Sequence, residues 1–99
     1  TCALPIFTEI IDLAPAEQLQ LMEDIAAASA LLRGLFNPRK INVAALGNVV
    51  PQLHVHVIAR SESDAAWPRP VWGNLPMDFY TPADLAGMVS RLRAALPVG

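Results

Sequence analysis

The chain has 99 residues, 54% of them hydrophobic and 16% charged, with Lys+Arg 7 against Asp+Glu 9. That length fits one domain, the aliphatic content excludes a disordered chain, and a net charge of −2 argues against a basic nucleic-acid-binding face. The single cysteine, Cys2, excludes an internal disulfide framework and a cysteine-based zinc site, and it fits a reducing, cytoplasmic setting.

No stretch approaches the roughly 18 apolar residues that cross a bilayer, so no membrane partner is expected. The opening Thr1-Cys2-Ala3-Leu4-Pro5-Ile6 lacks the basic and long apolar regions of a signal peptide, and it does not begin with Met.

The clearest helical signal runs from Asp12 to Phe36 and predicts a helix over about 15–34. Leu19, Met22, Ala26, Ser29 and Leu32 or Arg33 recur at three- and four-residue steps, and Ile25 widens that stripe. Glu17, Gln20, Glu23 and Asp24 mark the wetter face. Pro15 suits the first turn, where its missing N–H costs nothing. Gly34 weakens the far end, and Asn37-Pro38 stops it.

Residues 40–46 and 52–60, rich in Val, Ile and Leu, read as two strands of an antiparallel hairpin. Gly47-Asn48 between them tolerates positive φ. Pro51 cannot donate to a ladder and belongs at the start of the second strand. Residues 61–80 hold both tryptophans and several prolines and read as irregular chain. A last helix over about 82–95 follows, with Thr81 as N-cap, Pro82 in the first turn and Asp84 near the positive end of the dipole. Leu85, Met88, Val89, Leu92 and Leu96 give it an apolar stripe.

The only two histidines fall in Gln52-Leu53-His54-Val55-His56-Val57. Alternation along a strand sends Gln52, His54 and His56 to one face and Leu53, Val55 and Val57 to the other. Residues two apart on a strand lie roughly 6.5–7 Å from each other, so both imidazoles can act on one ligand. Three readings fit this spacing: a polar strand face, a metal site, or a nucleophilic or acid–base site in which one neutral imidazole attacks and its neighbour binds or donates a proton. A tight metal site needs further ligands. The hairpin offers none, and only Glu62 and Asp64 follow shortly after.

The run from Gly47 to Arg60, followed by Trp67-Pro68 and Pro70-Val71-Trp72-Gly73, resembles the histidine-triad (HIT) family, in particular its bacterial hydrolase-like members. The family motif is His-φ-His-φ-His-φ-φ, with φ apolar. Here Gln52 holds the first His position, His54 the central one and His56 the last, while Leu53, Val55, Val57 and Ile58 fill the apolar positions. The resemblance runs from about Ile11-Asp12-Leu13 through Gly73. It implies an α+β domain with an antiparallel sheet, and nucleotide hydrolase or nucleotidyl transferase chemistry.

Carried over by position, His54 is the expected nucleophile toward an α-phosphorus, forming a nucleotidyl-histidine that water then cleaves. Dinucleoside polyphosphates are possible substrates. His56 is expected to hydrogen-bond phosphate or leaving-group oxygens. The main-chain carbonyl at the first His position accepts from the nucleophile's ring N–H in the family, and Gln52 retains such a carbonyl. Asn48 falls where the family holds the α-phosphate, although turn chemistry beside Gly47 also accounts for it. Asn42 falls, across a one-residue gap, where a polar side chain meets ribose or phosphate; a polar position on a half-exposed strand is its plain alternative. Trp72 is expected to close over a nucleotide or meet a second subunit, and Trp67 to pack inside. Arg60 reads as a solvated strand end, and Arg91 and Arg93 as facing water.

The resemblance implies no cofactor and no metal, a nucleotide as small-molecule partner, and a homodimer. A catalytically silent nucleotide-binding module and a His-x-His metal-binding domain are the alternatives. HIT domains carry further strands and a helix ahead of the segment matched by Ile11-Asp12-Leu13, so the expectation is one domain over 1–99 that lacks its N-terminal strands. Residues 1–6 do not resemble the family and read as translated sequencing adapter. Low stability and little activity are therefore expected of these 99 residues alone.

Overall fold

A computed structural model describes residues 6–74 and 80–96; the expectation for residues 1–6 falls, Ile6 apart, outside them. A short 3-10 turn at Ile10–Asp12 leads into helix α1 (Pro15–Phe36), strands β1 (Lys40–Ala44) and β2 (His56–Arg60), and helix α2 (Pro82–Ala95). The α+β class and both helices match the sequence expectation.

Local chemistry explains where the helices begin and end. The Glu17 carboxylate accepts from the Ala14 N–H at 2.8 Å, which satisfies one of the donors left open at the start of α1. Asn37 closes α1 in the left-handed region, at φ 45° and ψ 56°, with its N–H donating to the Arg33 carbonyl. Asparagine tolerates that conformation better than most residues, and Pro38 then prevents continuation. At α2, the Thr81 hydroxyl accepts from the Asp84 N–H at 3.1 Å, as its N-cap position predicts.

The buried stripe of α1 keeps only part of the expected one. Leu19 and Met22 are 69% and 62% exposed, and Ala26 is exposed. The half-buried positions are Gln18, Leu21, Ile25, Ala28, Ser29, Leu31, Leu32 and Leu35, which keep Ile25, Ser29 and Leu32 of the expected stripe and otherwise lie beside it. This helix is apolar round much of its circumference, so three- and four-residue spacing is satisfied on either stripe. The packing partner chooses between them, and α1 packs against β2.

The hairpin is also shorter than expected. β1 and β2 are antiparallel with Ala44 opposite His56, Asn42 opposite Ile58 and Lys40 opposite Arg60. Residues 45–55 form the connection rather than continuing the ladder. Gly47 takes a positive φ of 71° in it, and Pro51 lies inside it, unable to donate. The Leu53 N–H donates to the Phe7 carbonyl at 2.7 Å, so this stretch is held by the chain ahead of α1 and not by β1. Gln52 and His54 thus precede the strand, and His56 is its first residue.

Among the described residues only Arg60 and Ala66 are fully buried. The packed centre therefore sits where the end of β2 meets the turns that follow it.

Candidate active site

His54 and His56 leave the chain in the same direction where it enters β2. Their rings lie 5.1 Å apart, centre to centre, in an edge-to-face arrangement. That is closer than the spacing of residues on a flat strand. His54 is exposed and His56 half-buried.

The His54 Nδ1 stands 2.6 Å from the main-chain carbonyl oxygen of Gln52. A carbonyl only accepts, so Nδ1 carries the hydrogen, and in the neutral ring the lone pair is then on Nε2. The residue type at position 52 does not enter this bond. The Gln52 side chain itself is exposed.

Trp72 also meets His56, its ring centre 5.6 Å from the imidazole in an edge-to-face arrangement at 67°. Asn48, exposed, shares with Leu46, Gly47, Val49, Val50 and His54 the walls of an open groove of about 220 Å³. His54, His56, Gln52, Asn48 and Trp72 therefore gather at one end of the hairpin. A larger cavity of about 830 Å³ lies toward the other end, between Phe36, Arg39, Glu62, Tyr80 and Met88, and it touches neither histidine.

Asn42 shares its strand face with His56 but is engaged elsewhere. Its Oδ1 accepts from Arg60 Nη1 at 2.8 Å. Arg60 in turn departs from the expected solvated strand end: it is 2% exposed. Its Nε and Nη2 donate to the two Asp64 carboxylate oxygens at 2.8 and 3.1 Å, and Nη2 also donates to the Arg69 carbonyl at 2.7 Å. The Trp67 ring covers the guanidinium, 5.5 Å away. A buried cation persists only with such partners. The same pairing with Arg60 holds the Asp64 carboxyl down at about 2. An acid four residues after a base was the signal for this pair, but the four-residue rule belongs to helices, and this stretch is not helical.

Glu62 pairs with Arg39 at 2.8 Å, so neither acid that follows the hairpin is directed to the histidines. Among the described residues no three His, Cys, Asp or Glu side chains converge as metal ligands. Arg91 and Arg93 are both exposed as expected, and the Arg91 guanidinium also lies over the Phe36 ring at 5.0 Å. No described helix is long and apolar enough to cross a membrane.

The HIT domain family model matches residues 5–63, a span that contains both histidines and the whole hairpin. The chain belongs to the HIT family. Three solved bacterial histidine triad proteins share its fold. One from Bradyrhizobium japonicum is 47% identical, over 93% of this chain and 69% of that one, with a TM-score of 0.87. One from Marinobacter aquaeolei VT8 is 42% identical, over 94% and 68%, with a TM-score of 0.89. A third, from Sinorhizobium meliloti 1021, is 38% identical, over 91% and 67%, with a TM-score of 0.86. No curated protein matches the chain. This HIT chain spans about two thirds of the length of those solved structures.

Proposed function

We propose that this HIT protein is a nucleotide phosphohydrolase or nucleotidyl transferase in which His54 is the nucleophile. The observation that carries the reading is the bond from His54 Nδ1–H to the Gln52 carbonyl. It leaves the Nε2 lone pair directed outward and would stabilise the positive charge that grows on the ring during attack.

In the first step the Nε2 lone pair forms a P–N bond at the α-phosphorus of a nucleotide, such as a dinucleoside polyphosphate, while the P–O bond to the leaving group breaks. The leaving oxygen takes a proton from His56 or water. In the second step water forms a new P–O bond, the P–N bond breaks with its electrons returning to Nε2, and the water's proton is released. A transferase replaces that water with another hydroxyl. The His56 ring, 5.1 Å from His54, is placed to donate a hydrogen bond to the phosphate oxygens as charge builds up on them. Asn48 lines the groove beside His54 and supplies a polar contact for the α-phosphate, with Trp72 as a wall for the nucleotide. Asn42 reaches ribose or phosphate only through its amide NH₂, because its oxygen is held by Arg60. The reading includes a cytoplasmic setting, consistent with the single cysteine, and a homodimer.

A labelled dinucleoside polyphosphate, quenched during turnover, tests it: an acid-labile adduct that disappears in His54→Asn is expected. One observation favours a second reading, a silent nucleotide-binding module: Gln52 stands where the family motif has its first histidine. Nucleotide binding with neither adduct nor hydrolysis would establish that module in place of the enzyme.

A further inference from the structure

Trp72 lies beyond both strands, in a stretch that no sheet hydrogen bond holds, yet its ring meets His56. Two sets of contacts fix it there. The nearer set is a turn at 70–74. Asn74 donates from Nδ2 to the Pro70 carbonyl at 2.6 Å and from its N–H to the Val71 carbonyl at 3.3 Å, and Gly73 takes a positive φ of 75°. The farther set is the buried Arg60.

Arg60 joins three pieces of chain. It reaches β1 through Asn42, the 64–67 turn through Asp64, and the irregular segment leading to Trp72 through the Arg69 carbonyl. Asp64 extends this grip, because its Oδ1 also accepts from the Ala66 and Trp67 N–H groups at 3.0 and 2.8 Å. Only two residues separate Arg69 from Trp72, a reach of roughly 10 Å at most. Holding the Arg69 carbonyl therefore confines the indole. An imidazole turns through broad wells about its second torsion, so a ring packed against His56 selects its orientation.

We propose that Arg60 is a positioning residue for His56: by gripping Asn42, Asp64 and the Arg69 carbonyl, it holds Trp72 against the imidazole and keeps that ring turned toward His54. The catalytic meaning of this arrangement rests on the proposed phosphoryl chemistry, while the arrangement itself does not require a nucleotide. Arg60 touches no substrate in this scheme and acts only through Trp72.

The chain's two histidines make ring NMR of histidine-labelled protein a direct readout, with His54→Asn assigning the signals. Arg60→Lys keeps the charge but loses the planar fork. The His56 ring signals are expected to move to where they lie in Trp72→Leu, with His54 moving less. The double variant should add nothing to Trp72→Leu, as for two residues acting through one contact. His56 signals unchanged in Arg60→Lys, or a shift that adds to that of Trp72→Leu, would overturn the proposal. Should Arg60→Lys fail to fold, Asp64→Asn decides by the same two outcomes, since it keeps an oxygen for the Ala66 and Trp67 N–H groups. Absence of a nucleotidyl adduct in the unmodified protein defeats the enzymatic reading and leaves this result standing, so the two failures are separable.

Discussion

Replacing Gln52 separates what its side chain does from what its main chain does. The bond to His54 Nδ1 comes from the carbonyl, which Gln52→Ala retains. The deleted amide is exposed, so at most it forfeits one ordinary hydrogen bond, about 0.5–1.5 kcal/mol. With tenfold per 1.4 kcal/mol, the predicted loss in adduct formation is no more than about tenfold. His54→Asn removes the attacking nitrogen and should cost about 10³-fold or more. The assay is a single-turnover measurement of adduct appearance with labelled dinucleoside polyphosphate for both variants and the unmodified chain. If Gln52→Ala falls as far as His54→Asn, the side chain and not the carbonyl governs the site, and the reasoning from the 2.6 Å bond is wrong.

Four further outcomes follow from local structure. Thr81→Ala removes the cap on Asp84 N–H and should cost about 1 kcal/mol, read as reduced helical circular dichroism and a lower midpoint in urea. At Asn37, where φ is 45°, Asn37→Gly should raise stability slightly, whereas Asn37→Val should lower it by about 1–2 kcal/mol; equal urea midpoints would contradict that strain. Ala66→Leu places a larger side chain at a fully buried site and should destabilise by about 1–3 kcal/mol, in contrast to a near-neutral Ala26→Leu on the exposed side of α1. The Asp64 carboxyl is depressed from 3.8 to about 2, so its contribution is present above about pH 4 and is lost as pH falls toward 2. Thermal unfolding followed from pH 5 down to 2 should show that loss, and Asp64→Asn should flatten it.

The histidine pair and its alternation with aliphatic residues were legible in the sequence, because they depend on neighbours within four residues, while the use of a main-chain carbonyl was implied by the family resemblance. Arg60 was not. A cation at the end of a strand, followed by irregular chain, has the local pattern of a solvated terminus. Only the return of Arg69 and Trp67 onto β2 encloses it. Asn42 is legible only in part for the same reason: its strand face follows from the sequence, but not that a buried guanidinium occupies its oxygen. The length of β2 depended on a distant partner too, since Leu53 bonds to Phe7 rather than to β1.

The α1 stripe shows a different limit. Caps and stops depend on a few side chains beside one helix end, so Pro15, Asn37 and Thr81 could be assigned from sequence. Choosing the buried face requires a contrast between faces, and the alanines at 26, 27, 28 and 30 nearly erase it. Leu19 and Met22 consequently stand exposed on one side while Leu21 and Ile25 meet the rest of the chain. Two large apolar side chains left in water forgo about 1.5–3 kcal/mol each relative to full burial. With only Arg60 and Ala66 fully enclosed among the described residues, that unrealised burial is a sizeable part of the margin of about 5–15 kcal/mol that keeps ordinary domains folded. A low urea midpoint for these 99 residues is therefore expected, and Leu19→Gln with Met22→Gln should leave it nearly unchanged. A large fall in that double variant would mean that the exposed stripe is covered in solution.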